Sequence, residues 1–176
     1  CHSWYSRKDN HMNRFLIDHH PDAIAKQLCD QHIVKMPLEE AQMLCTALWH
    51  HDPTYAEIKK LYKPVHQKHP CTLWAMETQA NYQFSFKLYD AMLREYTYRY
   101  GKEHGAGKHY HALEFGVCRI PRGMLTAHPQ CFSGHDDLKT SEHWPIMAYR
   151  AFYVVDKSKF ARYNKGREMP SWMKGE

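Results

Sequence analysis

The sequence has no C-x-x-C pair, no internal repeat, no low-complexity segment and no apolar run approaching the roughly 18 residues that a membrane-spanning helix needs. Its opening, CHSWYSRKDNH, lacks the apolar centre of a secretory signal. H-E-x-x-H, G-x-S-x-G and G-x-x-x-x-G-K-S/T are also missing, which removes the main support for a zinc protease, a serine hydrolase of that type or a P-loop enzyme. The six cysteines (Cys1, Cys29, Cys45, Cys71, Cys118 and Cys131) are scattered, some in apolar or helical contexts. They read as free thiols of a reducing compartment rather than as a disulfide framework, so a cytoplasmic location with no membrane partner is expected.

What is present points to a mainly α-helical chain. A length of 176 residues suits one domain with a core of its own. Lysine and arginine exceed aspartate and glutamate by 24 to 19, a formal charge of +5 that permits a polyanionic partner without demanding one. MNRFLIDHH reads as extended or irregular, and PDAIAKQLCDQH as a helix start marked by proline and aspartate. A long helix should then run to about Trp49, kinked or broken near Met36 because Pro37 lacks a backbone donor. HHDPTYAEIKKLYKPVHQKHP should be a connection with one short helix. CTLWAMETQANYQFSFKLYDAMLREYTYRYGKEHG should hold a second long helix that Gly101 or Gly105 stops. The stretch 102–141 reads as irregular, and a third helix is expected in SEHWPIMAYRAFYVVDKSKFARYNKG, with Ala148, Phe152 and Val155 inward. The expected architecture is a compact single-domain helical bundle over 12–176, preceded by an extension over 1–11 and carrying an irregular middle insertion. Its core should contain Ile33, Leu38, Leu44, Leu73, Met76, Phe84 and Leu88.

The first long helix carries an unusual polar side. His32, Lys35, Glu39, Gln42 and Thr46 recur at spacings of three and four and therefore share one face. Opposite them stand Ile33, Val34, Leu38, Ala41, Leu44 and Leu48. A carboxylate, a cation and an imidazole within two turns can do acid/base work. The plainer reading is a solvated face with an i,i+4 ion pair between Lys35 and Glu39. Near the C-terminus, Arg150, Lys157, Lys159, Arg162, Lys165, Arg167 and Lys174 alternate with Tyr153, Phe160, Tyr163 and Trp172. That mixture can bind phosphates and stack on bases, or it can be a solvated basic helix with Phe160 in the core. His109, His111, Cys118, His128, Cys131 and His135 invite a zinc hypothesis, but their spacing matches no specifying pattern.

Three blocks, in order, resemble one family. DQHIVKMPLE resembles the helix of the phage pyrimidine-dimer DNA glycosylases, the endonuclease V family, in which D-Q-H is followed seven residues after its histidine by the catalytic glutamate; from His32 this lands on Glu39. His69 is similar to the family's histidine that opens its next long helix, and REMPSWMK resembles its R-P-T-W-Y-K ending, so that Trp172 and Lys174 correspond. The resemblance makes the chain a distant member and implies a monomeric DNA glycosylase, with or without lyase activity, acting on double-stranded DNA with a damaged or modified pyrimidine. It would use no metal or other cofactor, and if phage-encoded it would work in the cytoplasm of a bacterial host.

The mechanism implied is attack of an amine on C1′ of the damaged nucleotide, with Glu39 handling charge and proton, His32 and Gln42 holding sugar or phosphate, and Lys35 adding positive charge. His69, Lys159, Arg162, Arg167, Trp172 and Lys174 would contact DNA. The family's amine lies about a dozen residues before its D-Q-H, whereas Cys1 precedes Asp30 by 29 residues and Met12 by 18. An amine at Met12 or Asn13 is therefore the first expectation, Lys35 the second and Cys1 the third. Two other classes remain open: a metal-dependent nuclease or nucleotide hydrolase, in which the histidines near 109 converge, and a non-catalytic DNA-binding protein.

Overall fold

The computed structural model describes residues 14–132 and 134–175. Seven helices are found among them: α1 (Pro21–Gln27), α2 (Asp30–His51), α3 (Pro53–Ile58), α4 (Pro70–Glu77), α5 (Gln79–Tyr100), α6 (Tyr110–Phe115) and α7 (Ile146–Lys157). There is no strand among the described residues, and no described helix is long and apolar enough to cross a membrane.

Helix α2 is the centre, packed on α5, α4 and α3. It runs unbroken past Pro37, contrary to the expected division near Met36. Proline there costs only the bond that the Ile33 carbonyl would have accepted, and both residues are buried in packing that outweighs this loss. Fourteen of its 22 residues are buried. What stays outside is a narrow strip that includes Val34 and Leu38, 45 % and 39 % exposed. The polar and apolar sides are thus rotated from expectation, because His32, Glu39 and Thr46 turn inward while Leu38 turns out.

The second long helix of the sequence is two helices. Thr78, extended at φ −139 and ψ 157, ends α4 and caps α5, its hydroxyl accepting from the Asn81 amide at 3.1 Å. That break shifts the phase of the apolar series. Leu73 becomes 47 % exposed, Phe84 half-buried, and Trp74, Tyr82, Tyr89 and Met92 take the core places. Gly101, at φ +69, stops α5 as the sequence indicated, since a left-handed residue favours glycine. The middle stretch is partly helical rather than wholly irregular: 3-10 turns at Gly105–His109 and Gly116–Arg119 flank α6. In α7 the inward places go to Ala148, Tyr149, Phe152 and Tyr153, and Val155 is 52 % exposed.

The apolar interior forms two main clusters. One gathers residues 15–17, α1, the first turns of α2, the second half of α5, α7 and Met173. The other gathers the second half of α2 with Ala56, Met76, Tyr82, Tyr89, Leu113 and Ile120. The cysteines Cys29, Cys45, Cys71, Cys118 and Cys131 are free thiols.

Candidate active site

The D-Q-H triplet opens α2, and each member has a structural partner. Asp30 accepts from Arg99 at 3.1 Å and from the Asn164 amide at 2.7 Å, while its own amide donates to the Arg162 carbonyl. Gln31 pairs with the backbone on both sides of the next turn of the tail, donating to the Phe160 carbonyl and accepting from the Arg162 amide. The tail is thereby laid across the start of α2. His32 is buried, stacked on Phe15 with ring centroids 4.6 Å apart. The Tyr153 hydroxyl accepts from the Cys29 amide at 2.9 Å and is hydrogen-bonded to His32 Nδ1 at 2.8 Å. Burial, with Lys157 and Lys35 adding to it, lowers the His32 pKa to about 3, so the ring is neutral at neutral pH.

One turn further, Lys35 Nζ lies 3.4 Å from Glu39, whose side chain is nearly closed off from solvent while that of Lys35 remains partly open. Glu40, the next residue, points into the protein and is ion-paired with Arg14. Arg14 is fully buried; its guanidinium also donates to Ser85 at 2.8 Å and to His128 Nε2 at 3.3 Å, and it lies 5.2 Å from the centre of the Trp74 ring. Burial disfavours the Arg14 cation, but the Glu40 carboxylate outweighs it and raises its pKa. Burial, then Arg14, pushes His128 well below its ordinary range, so it accepts as a neutral ring and donates from Nδ1 to the Pro129 carbonyl at 2.7 Å. Arg14 and Phe15 thus fasten the chain along α2 at residues 40 and 32, on either side of the Lys35–Glu39 turn. The expectation at Met12 and Asn13 lies outside the described residues, as does that at Cys1.

The fold brings Glu39, Lys35 and His32 onto the first half of α2, with half-buried Gln42 on the strip beside them. Lys159, Arg162 and Lys174 are exposed on the tail, and the backbone pairing with Gln31 holds the first two near the start of α2. The other tail residues are engaged within the protein. Arg167 is bound to Glu95 at 2.7 Å, and Trp172 donates to Gln27 at 2.7 Å beneath the Arg150 guanidinium. Tyr153 is buried, and Phe160, read as a core residue in the plainer alternative, is 41 % exposed. His69 caps α4 beside Cys71 and Cys131. The histidine and cysteine positions considered for zinc do not converge: His109 packs on Tyr62, His128 serves Arg14, and His135 faces Asp156 at 3.7 Å.

Sequence reasoning missed Arg14 and the loop 121–127. That loop is fastened to α4 and α5 by Gln79, Thr78, Asn81 and Trp74, with Gly123 so close that a Cβ would sit 2.6 Å from Thr78 Cγ2. Its tip nevertheless leaves Met124 85 % and Leu125 50 % exposed. The signal for it was the apolar pair placed directly after R-G in a hydrophilic stretch.

No curated protein and no solved structure matches the chain. A family model described as pyrimidine dimer DNA glycosylase matches residues 12–106, a span that holds Arg14, the D-Q-H triplet, Glu39 and His69 and ends before the tail. With just over half of its length matched, the chain belongs to the pyrimidine dimer DNA glycosylase family.

Proposed function

We propose that the chain excises a damaged or modified pyrimidine from double-stranded DNA, with Glu39 as the central acid/base group and an amine at residue 12 or 13 as nucleophile. The observation that carries this reading is the placement of a nearly closed carboxylate, Glu39, on the helix turn flanked by the contacts of Arg14 and Phe15. Residues 12 and 13 precede Arg14 by no more than roughly 7 Å of extended chain, and the family match begins at residue 12. In this mechanism the amine nitrogen bonds to C1′ as the C1′–base bond breaks, and the base leaves with the bonding pair and takes up a proton. Opening of the sugar then gives an imine. Removal of a 2′ proton and departure of the 3′ phosphate complete the lyase step. Glu39 stabilises the cationic sugar and carries the 2′ proton.

The neutral, doubly anchored His32 is a positioning residue, holding Phe15 and the first turn of α2. Gln42, Lys159, Arg162 and Lys174 supply phosphate contacts, and the exposed Met124–Leu125 tip is suited to fill the gap that an extruded nucleotide leaves. Arg167 and Trp172 act through the tail, keeping it docked. Lys35 is the alternative nucleophile. Its amine lies 3.4 Å from Glu39, engaged with that carboxylate rather than presented to a substrate.

Borohydride trapping on duplexes containing a cyclobutane pyrimidine dimer, followed by mass mapping, tests the assignment. The expected adduct lies on an amine at residue 12 or 13 in a chain begun there, and survives Lys35→Ala. An adduct that vanishes in Lys35→Ala while surviving a blocked terminus reverses it. Base release with no adduct on any duplex leaves a glycosylase without lyase activity.

A further inference from the structure

Away from Glu39, and unused by the proposed chemistry, three metal-ligating side chains meet where the middle stretch touches α4. One ligand atom from each of His69, Cys71 and Cys131 lies within 4.8 Å of the others. Neither cysteine is in a disulfide. His69 Nδ1 accepts from the Cys71 amide at 3.2 Å, so this nitrogen carries the lone pair and aims it at the first turn of α4, where Cys71 sits. His69 also borders a surface recess of about 540 Å³ formed by residues 64–69. Cys131 arrives from a segment more than fifty residues away in sequence, held by its amide bond to the Tyr149 hydroxyl at 2.9 Å. Nothing in the chain's local pattern requires these residues to meet.

We propose that His69, Cys71 and Cys131 bind one zinc ion, with water completing the shell, and that the ion clips the middle segment to the start of α4. Two thiolates and an imidazole suit zinc in kind. With Zn–S near 2.3 Å and Zn–N near 2.0–2.1 Å, a tetrahedral ion sets its donors roughly 3.5–3.8 Å apart, so these need to close by about 1 Å, which side-chain rotation supplies. As the two Zn–S bonds form, the two thiol protons leave to solvent and no electron moves. The weak cap bond from Cys71 to His69 Nδ1 is exchanged for the Zn–N bond. This clip is independent of the glycosylase reading, and its test contains no DNA.

The full chain, reduced and stripped of metal with a chelator, is titrated with Co²⁺ and then Zn²⁺. One equivalent of cobalt should give a thiolate-to-metal charge-transfer band that one equivalent of zinc abolishes. Cys131→Ser, at a half-buried position, should lose the band while keeping its helical circular dichroism; His69→Ala should weaken or lose it, and Cys118→Ser should retain it. Zinc should raise the melting temperature of the parent and of Cys118→Ser but not of Cys131→Ser. Absence of the band in the reduced parent, or a band that survives Cys131→Ser, overturns the proposal.

Discussion

The two halves of α2 are built differently. From Asp30 to Glu40 the helix buries Asp30, His32, Glu39 and Glu40; Glu39 pairs locally with Lys35, and the other three lean on distant parts of the chain: Arg99 and the tail for Asp30, Tyr153 for His32, Arg14 for Glu40. From Ala41 to His51 the buried residues are Ala41, Met43, Leu44, Cys45, Ala47 and Leu48, with Thr46 the one polar member. A helix whose only task was packing would look like the second half throughout. Burying carboxylates and an imidazole is unfavourable unless each is paired, so the first half gives up stability that an apolar sequence would have kept. The lesson is that the buried polar groups of α2 are concentrated in about three turns and in the chain that lies against them.

The largest expected effect breaks the polar half directly. Arg14→Ala leaves Glu40 buried without its cation and should cost about 3–5 kcal/mol in denaturant melts, whereas Arg14→Met with Glu40→Leu should recover most of that loss. If the single variant is as stable as the parent, the pairing does not hold the polar half. Next, Leu44→Ala in the apolar half should cost roughly 2–4 kcal/mol through its cavity, with the single-turnover rate of the folded fraction unchanged. A rate loss there would mean that the two halves are not separable.

Acid should act on the first half through His32, with His128 behind Arg14 titrating in the same direction. The ordinary pKa of a histidine is 6.5, and folding holds His32 at about 3. Between those values the unfolded chain binds a proton that the folded chain refuses, so stability falls as pH falls through that window. The full contribution is present above pH 6.5, and the loss is at most about 1.4 kcal/mol per pH unit. His32→Gln should flatten this acid limb, and an unchanged slope would reassign it to another group. Smallest of all, Lys35→Ala removes a partly exposed i,i+4 pair and should change stability by less than about 1 kcal/mol.

Legibility in the sequence follows the same division. The helical class, the irregular lead into α1, the stop at Gly101 and the spacing that singles out Glu39 are all local, written in periodicity, caps and a short motif. The phase of α4 and α5 was misread because one threonine resets it. The signal, Thr78 followed three residues later by Asn81, is an N-cap pattern lying inside an otherwise continuous apolar series. Arg14 was illegible for a different reason: its partners Glu40, Ser85 and His128 stand 26, 71 and 114 residues away. No window of sequence holds such a pairing. The same holds for Asp30 and Gln31, which the motif marked but whose grip on the tail at 160–164 only the fold reveals.

The most direct test of the central claim is the single-turnover rate of base release from a duplex carrying one cyclobutane pyrimidine dimer, compared between the parent and Glu39→Gln at matched folded fraction. Removal of a positioned acid/base group should lower the rate by about 10²–10⁴-fold while duplex binding persists. Release at the parental rate by Glu39→Gln would contradict the assignment of the chemistry to the polar half of α2.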